Sequence, residues 1–223
     1  MPLALCPGVS FCIVNDAAVF LDLNANRYFC LKQPDIGVLT SLRDAAPGSI
    51  ATHPILRPLM ARGLVREGST DQLANNGIGI VEAVRDLTSY PLTGNGKEST
   101  IRAVLTELSW SATLKMRSLA SIAETLGAKR NSLKDAPPDN SNGHFVEIAA
   151  ALERSALITG VDGRCLPRSL AYISLCRHRS IATTLVFGVR LNPFQAHCWV
   201  QHKQTVLNDR LEHVRCFTPI LAI

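Results

Sequence analysis

A thiol is a strong nucleophile only as thiolate, and helix N-termini and nearby cations favour that form. Of the seven cysteines in the chain, Cys165 fits that description. Gly163 precedes it, Pro167 suits a first helical turn, and Arg164 and Arg168 flank it with positive charge. Such a nucleophile needs an imidazole base, itself oriented by a third group. His197 opens one strand-like run and Asp209 closes the next. If 197–202 and 205–209 form a hairpin, those two ends fall side by side. Asp209 then reaches Nδ1 or Nε2 of His197. A cysteine arriving on a helix packed across that sheet completes a coherent Cys–His–Asp triad.

The remaining candidates have plainer readings. The other six cysteines read as buried small hydrophobes, with Cys12 and Cys30 in apolar strands and Cys176 on the helix after Cys165. Trp199 reads as core. Arg177, His178 and Arg179 sit where a helix C-terminus favours cations. A metal site from His197, Cys198 and His202 is disfavoured, because adjacent strand residues point to opposite faces. No metal or other cofactor is expected, and no GxxxxGK[ST] nucleotide loop occurs.

Elements must position these residues, and the composition permits them. In the 223 residues, hydrophobic side chains make up 47% and charged ones 18%, which is ample for a buried core. The net charge is +5, concentrated after residue 143 and too sparsely interleaved with aromatics to indicate nucleic acid. The odd cysteine count, the lack of CxxC and a start without a basic n-region point to a reducing cytoplasm rather than a disulfide framework. No apolar run approaches the roughly 20 residues of a membrane span.

Along the chain, VSFCIV, AVFLDL and RYFCL between residues 9 and 31 read as three strands separated by Asn-rich turns. Pro34 opens a helix, a second is expected near Ser49, and a third spans Ile55–Arg62 before Gly63. Leu64-Val65 reads as a short returning strand. Residues 1–70 thus form a small module. Residues 71–98 read as a linker with one short helix at Ile80–Leu87. From residue 99 helical spacing returns, with Ile101, Val104, Leu105, Leu108 and Ala112 as the apolar stripe and Gly127 as the stop. After a polar break, a helix runs from His144 to about Ile158. The helix at Cys165 and the strands ATTLVFGVR, AHCWVQH and TVLND follow. The expected class is α+β.

The segment RCLPRSLAYISLCRHRSIATTLVFGVRLNPFQAHCWVQHKQTVLND, residues 164–209, resembles the lasso-peptide leader peptidases. These are the transglutaminase-like "B protein" family that includes the microcin-processing enzyme. The specific part is LVFGVR…PF…AH.WV…V.ND. The resemblance implies a papain/transglutaminase-like cysteine peptidase domain over 99–223, with Cys165, His197 and Asp209 as its triad. Gln201 departs from the acidic residue that many relatives carry after WV.

Residues 1–70 resemble, in architecture, the small winged-helix-like element that binds leader peptides. What the resemblance implies is a cysteine peptidase that removes the leader from a ribosomally made lasso-peptide precursor. An ATP-dependent cyclase similar to asparagine synthetase would be its partner. Chemistry would run by thiolate attack, an acyl-enzyme and hydrolysis, with the Cys165 N–H among the oxyanion donors. A non-catalytic leader-binding chaperone and an acyl transferase are the alternatives. The leader is expected to add as a strand beside Arg27, Tyr28, Phe29, Cys30 and Leu31, with Leu56, Leu59 and Met60 lining the adjacent groove. Binding and cutting are expected to sit in separable modules.

Overall fold

A computed structural model describes residues 3–43, 53–67, 79–87, 99–131, 141–160 and 163–223. Expectations about a helix near Ser49 and about most of the 71–98 segment lie outside those residues. The mixture of helices and sheets is the expected α+β. Among the described residues, no helix is long and apolar enough to cross a membrane.

The chain opens with β1 (Leu3–Leu5), β2 (Val9–Val14), β3 (Ala17–Asp22) and β4 (Arg27–Lys32). Asn15 and Asn26 adopt positive φ at the turns between these strands, a conformation asparagine tolerates. β2, β3 and β4 form an antiparallel meander in which, among the described residues, β4 pairs with β3 alone. Helices α1 (Ile36–Arg43) and α2 (Leu56–Ala61) follow. Gly63, at φ +69°, turns the chain into β5 (Val65–Glu67), which pairs with β1. β1 is not evident in the sequence, because three residues are too few to show alternation.

The central strand β3 is buried on both faces, which is why it reads as a nearly unbroken apolar run. Val9, Ala18 and Phe20, with Phe29 and Leu31 beside them, pack on Leu39, Leu56 and Leu59 in a small N-terminal core. Val14, Val19, Leu21 and Leu23 face the other way and join the large core of the C-terminal half, with Cys12 and Tyr28 against it. One sheet supplies both cores, so removing it would strip a face from the second.

The segment that reads as a linker also contributes structure. Residues 79–84 are irregular, β6 (Arg85–Asp86) is a strand, and no α-helix forms at Ile80–Leu87. β6 pairs in parallel with β9 (Thr205–Val206) at the edge of a sheet ordered β10-β7-β8-β9-β6. Here β7 is Thr184–Arg190, β8 is Gln195–His202 and β10 is Thr218–Ala222. Neither β10 nor the short helix α7 (Leu211–Val214) is expected from the sequence.

Three helices pack around a fourth. They are α3 (Thr100–Met116), α4 (Leu119–Asn131) and α5 (Ser141–Thr159), and the fourth is α6 (Cys165–Arg177). Residues 169–173, 175 and 176 of α6 are all buried, the pattern of a central helix. The expected single helix breaks instead at Arg117, whose backbone is extended, and α4 runs through Gly127 to Asn131. A Cβ at Gly127 would meet no described atom beyond its own helix within 4 Å, so glycine there costs only its propensity, about 1 kcal/mol.

The expected apolar stripe of α3 is also corrected. Ile101, Leu105 and Leu108 are exposed, while Ala103 and Glu107 are buried. The helix turns Glu107 inward because Arg164, beside the cysteine, needs a partner there. Arg164 Nε donates to Glu107 Oε1 at 2.7 Å, and the Ser155 and Thr159 hydroxyls donate to Glu107 Oε2 at 3.2 Å each. A paired and hydrogen-bonded carboxylate can be buried where a lone one cannot.

Candidate active site

Gly163, at φ +65°, swings the chain into α6, and Cys165 is its first residue. The thiol therefore sits at a helix N-terminus, as the sequence indicates. The flanking arginines do not act as expected. Arg164 is engaged with Glu107 and Ser111, and Arg168 bonds Leu152 O and Glu153. They fix the approach of α6 instead of facing the sulfur.

His197 stands on β8, opposite Gly188 of β7. A Cβ at 188 would lie 2.8 Å from Trp199 Cζ3, so the glycine of LVFGVR is the space the indole occupies. Trp199 is buried, as expected for core. Its ring lies nearly parallel to His197, with centroids 6.2 Å apart, and the Phe217 ring centroid approaches that of the imidazole to 5.1 Å. Aromatic walls thus limit how the imidazole can turn.

Asp209 follows β9, beyond the hairpin that pairs Gln201 with Val206 and His202 with Thr205. His197 Nε2 lies 2.5 Å from Asp209 Oδ2, which leaves Nδ1 as the nitrogen for the thiol. Asn208 holds this bend in place. Its Oδ1 accepts from Val200 N at 2.7 Å and its Nδ2 donates to Ser169 Oγ at 2.9 Å. The two halves of the ND dipeptide therefore act separately. The amide ties β8 to α6, and the carboxylate meets the imidazole.

Three side chains from α6, β8 and the bend after β9 thus converge. The Cys165 thiol is lowered to about 4. The hydrogen bond from the Cys198 thiol favours the thiolate most, burial opposes it, and the His197 ring and the Cys198 N–H add to the lowering. For His197, burial disfavours the charged ring, but Asp209 and Cys165 outweigh it and raise the group to about 9. Burial also opposes ionisation of Asp209, yet hydrogen bonds from His197, His213 and the Arg210 N–H hold it below the usual carboxylate value. The resting state between those limits is a thiolate–imidazolium pair.

Two residues of this site carry no clear mark in the sequence. His213 Nδ1 lies 2.9 Å from Asp209 Oδ2. The four-residue spacing places it there once α7 is known to be helical. Cys198 reads as inert core, yet it is the largest influence lowering the nucleophile's pKa. A neighbour that depends on helix–sheet packing leaves no local signal.

His197, Asp209 and His213 are the one group among the described residues whose ligand atoms lie close enough for a metal, all within 4.8 Å. In the structure the two histidines each hydrogen bond to Asp209. The alternative set does not converge: Cys198 faces α6, and His202 Nδ1 meets Ala182 O at 3.0 Å. Buried Gln201 has a structural role, donating from Nε2 to Val81 O and Lys203 O and so tying residues 79–84 to the sheet.

The strand expected to receive the leader is placed as follows. β4 is an edge of its sheet, with Arg27 and Cys30 exposed and Tyr28, Phe29 and Leu31 half-buried. Arg62 lies over the Phe29 ring at 4.5 Å. Leu56 and Leu59 are fully buried in the N-terminal core and offer no surface to a groove, a correction to that expectation, while Met60 is exposed. Tyr28 faces the other half of the molecule. It meets Phe194, at the tip of the β7–β8 hairpin, with ring centroids 5.4 Å apart. Burial, then Cys198, Cys165 and Cys12, raise its phenol to about 12.

The transglutaminase-like superfamily profile matches residues 104–222, from the second turn of α3 through β10. The chain belongs to the transglutaminase-like superfamily. No curated protein and no solved structure matches it. The fold is thus of the kind that carries cysteine-peptidase and acyl-transfer chemistry.

Proposed function

We propose that this protein is a cysteine peptidase that removes the leader from a ribosomally synthesised lasso-peptide precursor. The observation that carries the chemistry is the convergence of Cys165, His197 and Asp209 within a transglutaminase-like fold. The Cys165 thiolate attacks the scissile carbonyl, and the His197 imidazolium protonates the departing amine. Water then enters, activated by the neutral imidazole, while Asp209 holds the ring. The Cys165 N–H, in the first turn of α6, faces the developing oxyanion.

The leader-binding role of residues 1–70, read as a winged-helix-like element, rests on the edge position of β4 and the exposed side chains around it. An extended leader would gain main-chain hydrogen bonds there. The freed core would pass to an ATP-dependent, asparagine synthetase-like cyclase. Mass spectrometry of the purified protein mixed with a candidate lasso-peptide precursor tests this reading. One cut yielding intact leader and core is expected, and an unchanged precursor after exhaustive incubation contradicts it. The family match also favours a second outcome, acyl transfer. An added amine appearing on the released leader carboxyl, in place of water, would identify it.

A further inference from the structure

The C-terminal half holds a second thiol that the mechanism does not use, and its position is specific. Cys198 follows His197 on β8 but points to the opposite face, toward α6, where it is buried. Its Sγ lies 3.9 Å from Ser169 Oγ, and Ser169 Oγ donates to Cys198 O at 3.4 Å. Ser169 is one helical turn after Cys165, so the two occupy the same stripe of α6. Cys165 packs against the same core that contains Cys198, and each thiol shifts the ionisation of the other. Two free thiols are therefore neighbours across the α6–β8 packing. Other free cysteines are placed elsewhere: Cys30 and Cys216 are exposed, and Cys176 is buried within α6.

We propose that Cys165 is a site of reversible oxidation by hydroperoxides, with Cys198 as its resolving thiol. In the first step the Cys165 thiolate attacks the terminal peroxide oxygen. The O–O bond breaks, sulfur loses two electrons, and an alcohol or water leaves with a proton from solvent. Cys165 becomes a sulfenic acid. In the second step the Cys198 sulfur attacks the Cys165 sulfur. The S–S bond forms, the S–O bond breaks, and the hydroxyl departs with the Cys198 proton as water.

The sequence of events is favoured by the neighbouring positions of the two thiols. While Cys165 is a thiolate, its hydrogen bond and charge, with burial between them in size, hold the proton on Cys198. Oxidation removes the part of that hold that comes from the thiolate. The disulfide closes the site, but it also stops further oxidation to the sulfinic acid, which thiols do not reverse.

The test uses the full-length reduced protein, hydrogen peroxide and peptide mapping under non-reducing conditions. It reads thiol state, so its outcome is independent of whether the protein cuts a leader. The expected result is a cross-linked peptide pair containing Cys165 and Cys198, two hydrogens lighter, with alkylatable Cys165 restored by dithiothreitol. In Cys198→Ser the same treatment should give sulfinic Cys165 that dithiothreitol does not restore. Wild-type protein in which Cys165 becomes sulfinic without a link to Cys198, or links to another cysteine, would overturn the proposal. The wild-type map decides this even if the variant folds poorly.

Discussion

The corner formed by α6, β8 and the bend after β9 differs from the N-terminal meander in how its polar groups are used. At the corner the polar side chains are paired. Asp209 meets His197 and His213, Asn208 bridges two elements, and Arg164 closes on Glu107. At the meander the inner faces are apolar and the outer strand β4 stands at the sheet's edge. A rigid, fully bonded corner suits bond breaking, which tolerates little error in geometry. A strand edge suits a partner whose side chains vary but whose backbone does not. The shared sheet ties these two regions together.

The largest losses are expected at the corner. Cys165→Ala and His197→Ala should each abolish cleavage with unchanged leader affinity, as measured by turnover and by titration of labelled leader. Asp209→Asn should keep residual activity, about four orders of magnitude down by analogy with serine triads.

Next in size is removal of the sheet. Deleting residues 1–33 takes Val14, Val19, Leu21 and Leu23 from the large core. The remaining chain should then lose cooperative thermal unfolding, not merely leader affinity. A fragment that still melts sharply would show the two cores to be independent. Opening the buried pair by Glu107→Ala should cost about 3–5 kcal/mol in denaturant unfolding, because Arg164 is left without its partner.

The smallest effect is expected at Gly188. Gly188→Ala forces Trp199 to move, costing about 1–3 kcal/mol. It should also lower kcat more than KM, because Trp199 backs His197.

Much of the corner is legible in advance because its chemistry is local in sequence. Gly163 before Cys165 and the Asn208-Asp209 pair each announce a conformation, although β8 begins two residues before His197 and β9 ends three residues before Asp209. The meander is legible too, since VSFCIV, AVFLDL and RYFCL lie between clear turns. Periodicity fails where a polar residue has to go inside. It gives α3 the wrong face because Glu107, not Leu105 or Leu108, is the residue Arg164 requires. Leu56 and Leu59 read as groove because an apolar side chain does not announce whether it meets its own core or a ligand. Cys198 and His213 depend on packing between distant segments, which no short spacing encodes.

Catalysis by this site requires Cys165 to rest as a thiolate paired with the His197 imidazolium. The depressed pKa of the thiol and the raised pKa of His197 confine that pair to the window from about 4 to about 9. Cleavage should therefore fall below that window as the thiolate gains a proton, and above it as the imidazolium loses one. The direct measurement is the rate of Cys165 alkylation by iodoacetamide against pH, with the modified peptide identified by mass. The rate should rise through a midpoint near 4 in the native protein and shift upward in His197→Ala. A single midpoint near the ordinary thiol value of 9.0, unchanged by His197→Ala, would contradict the pair.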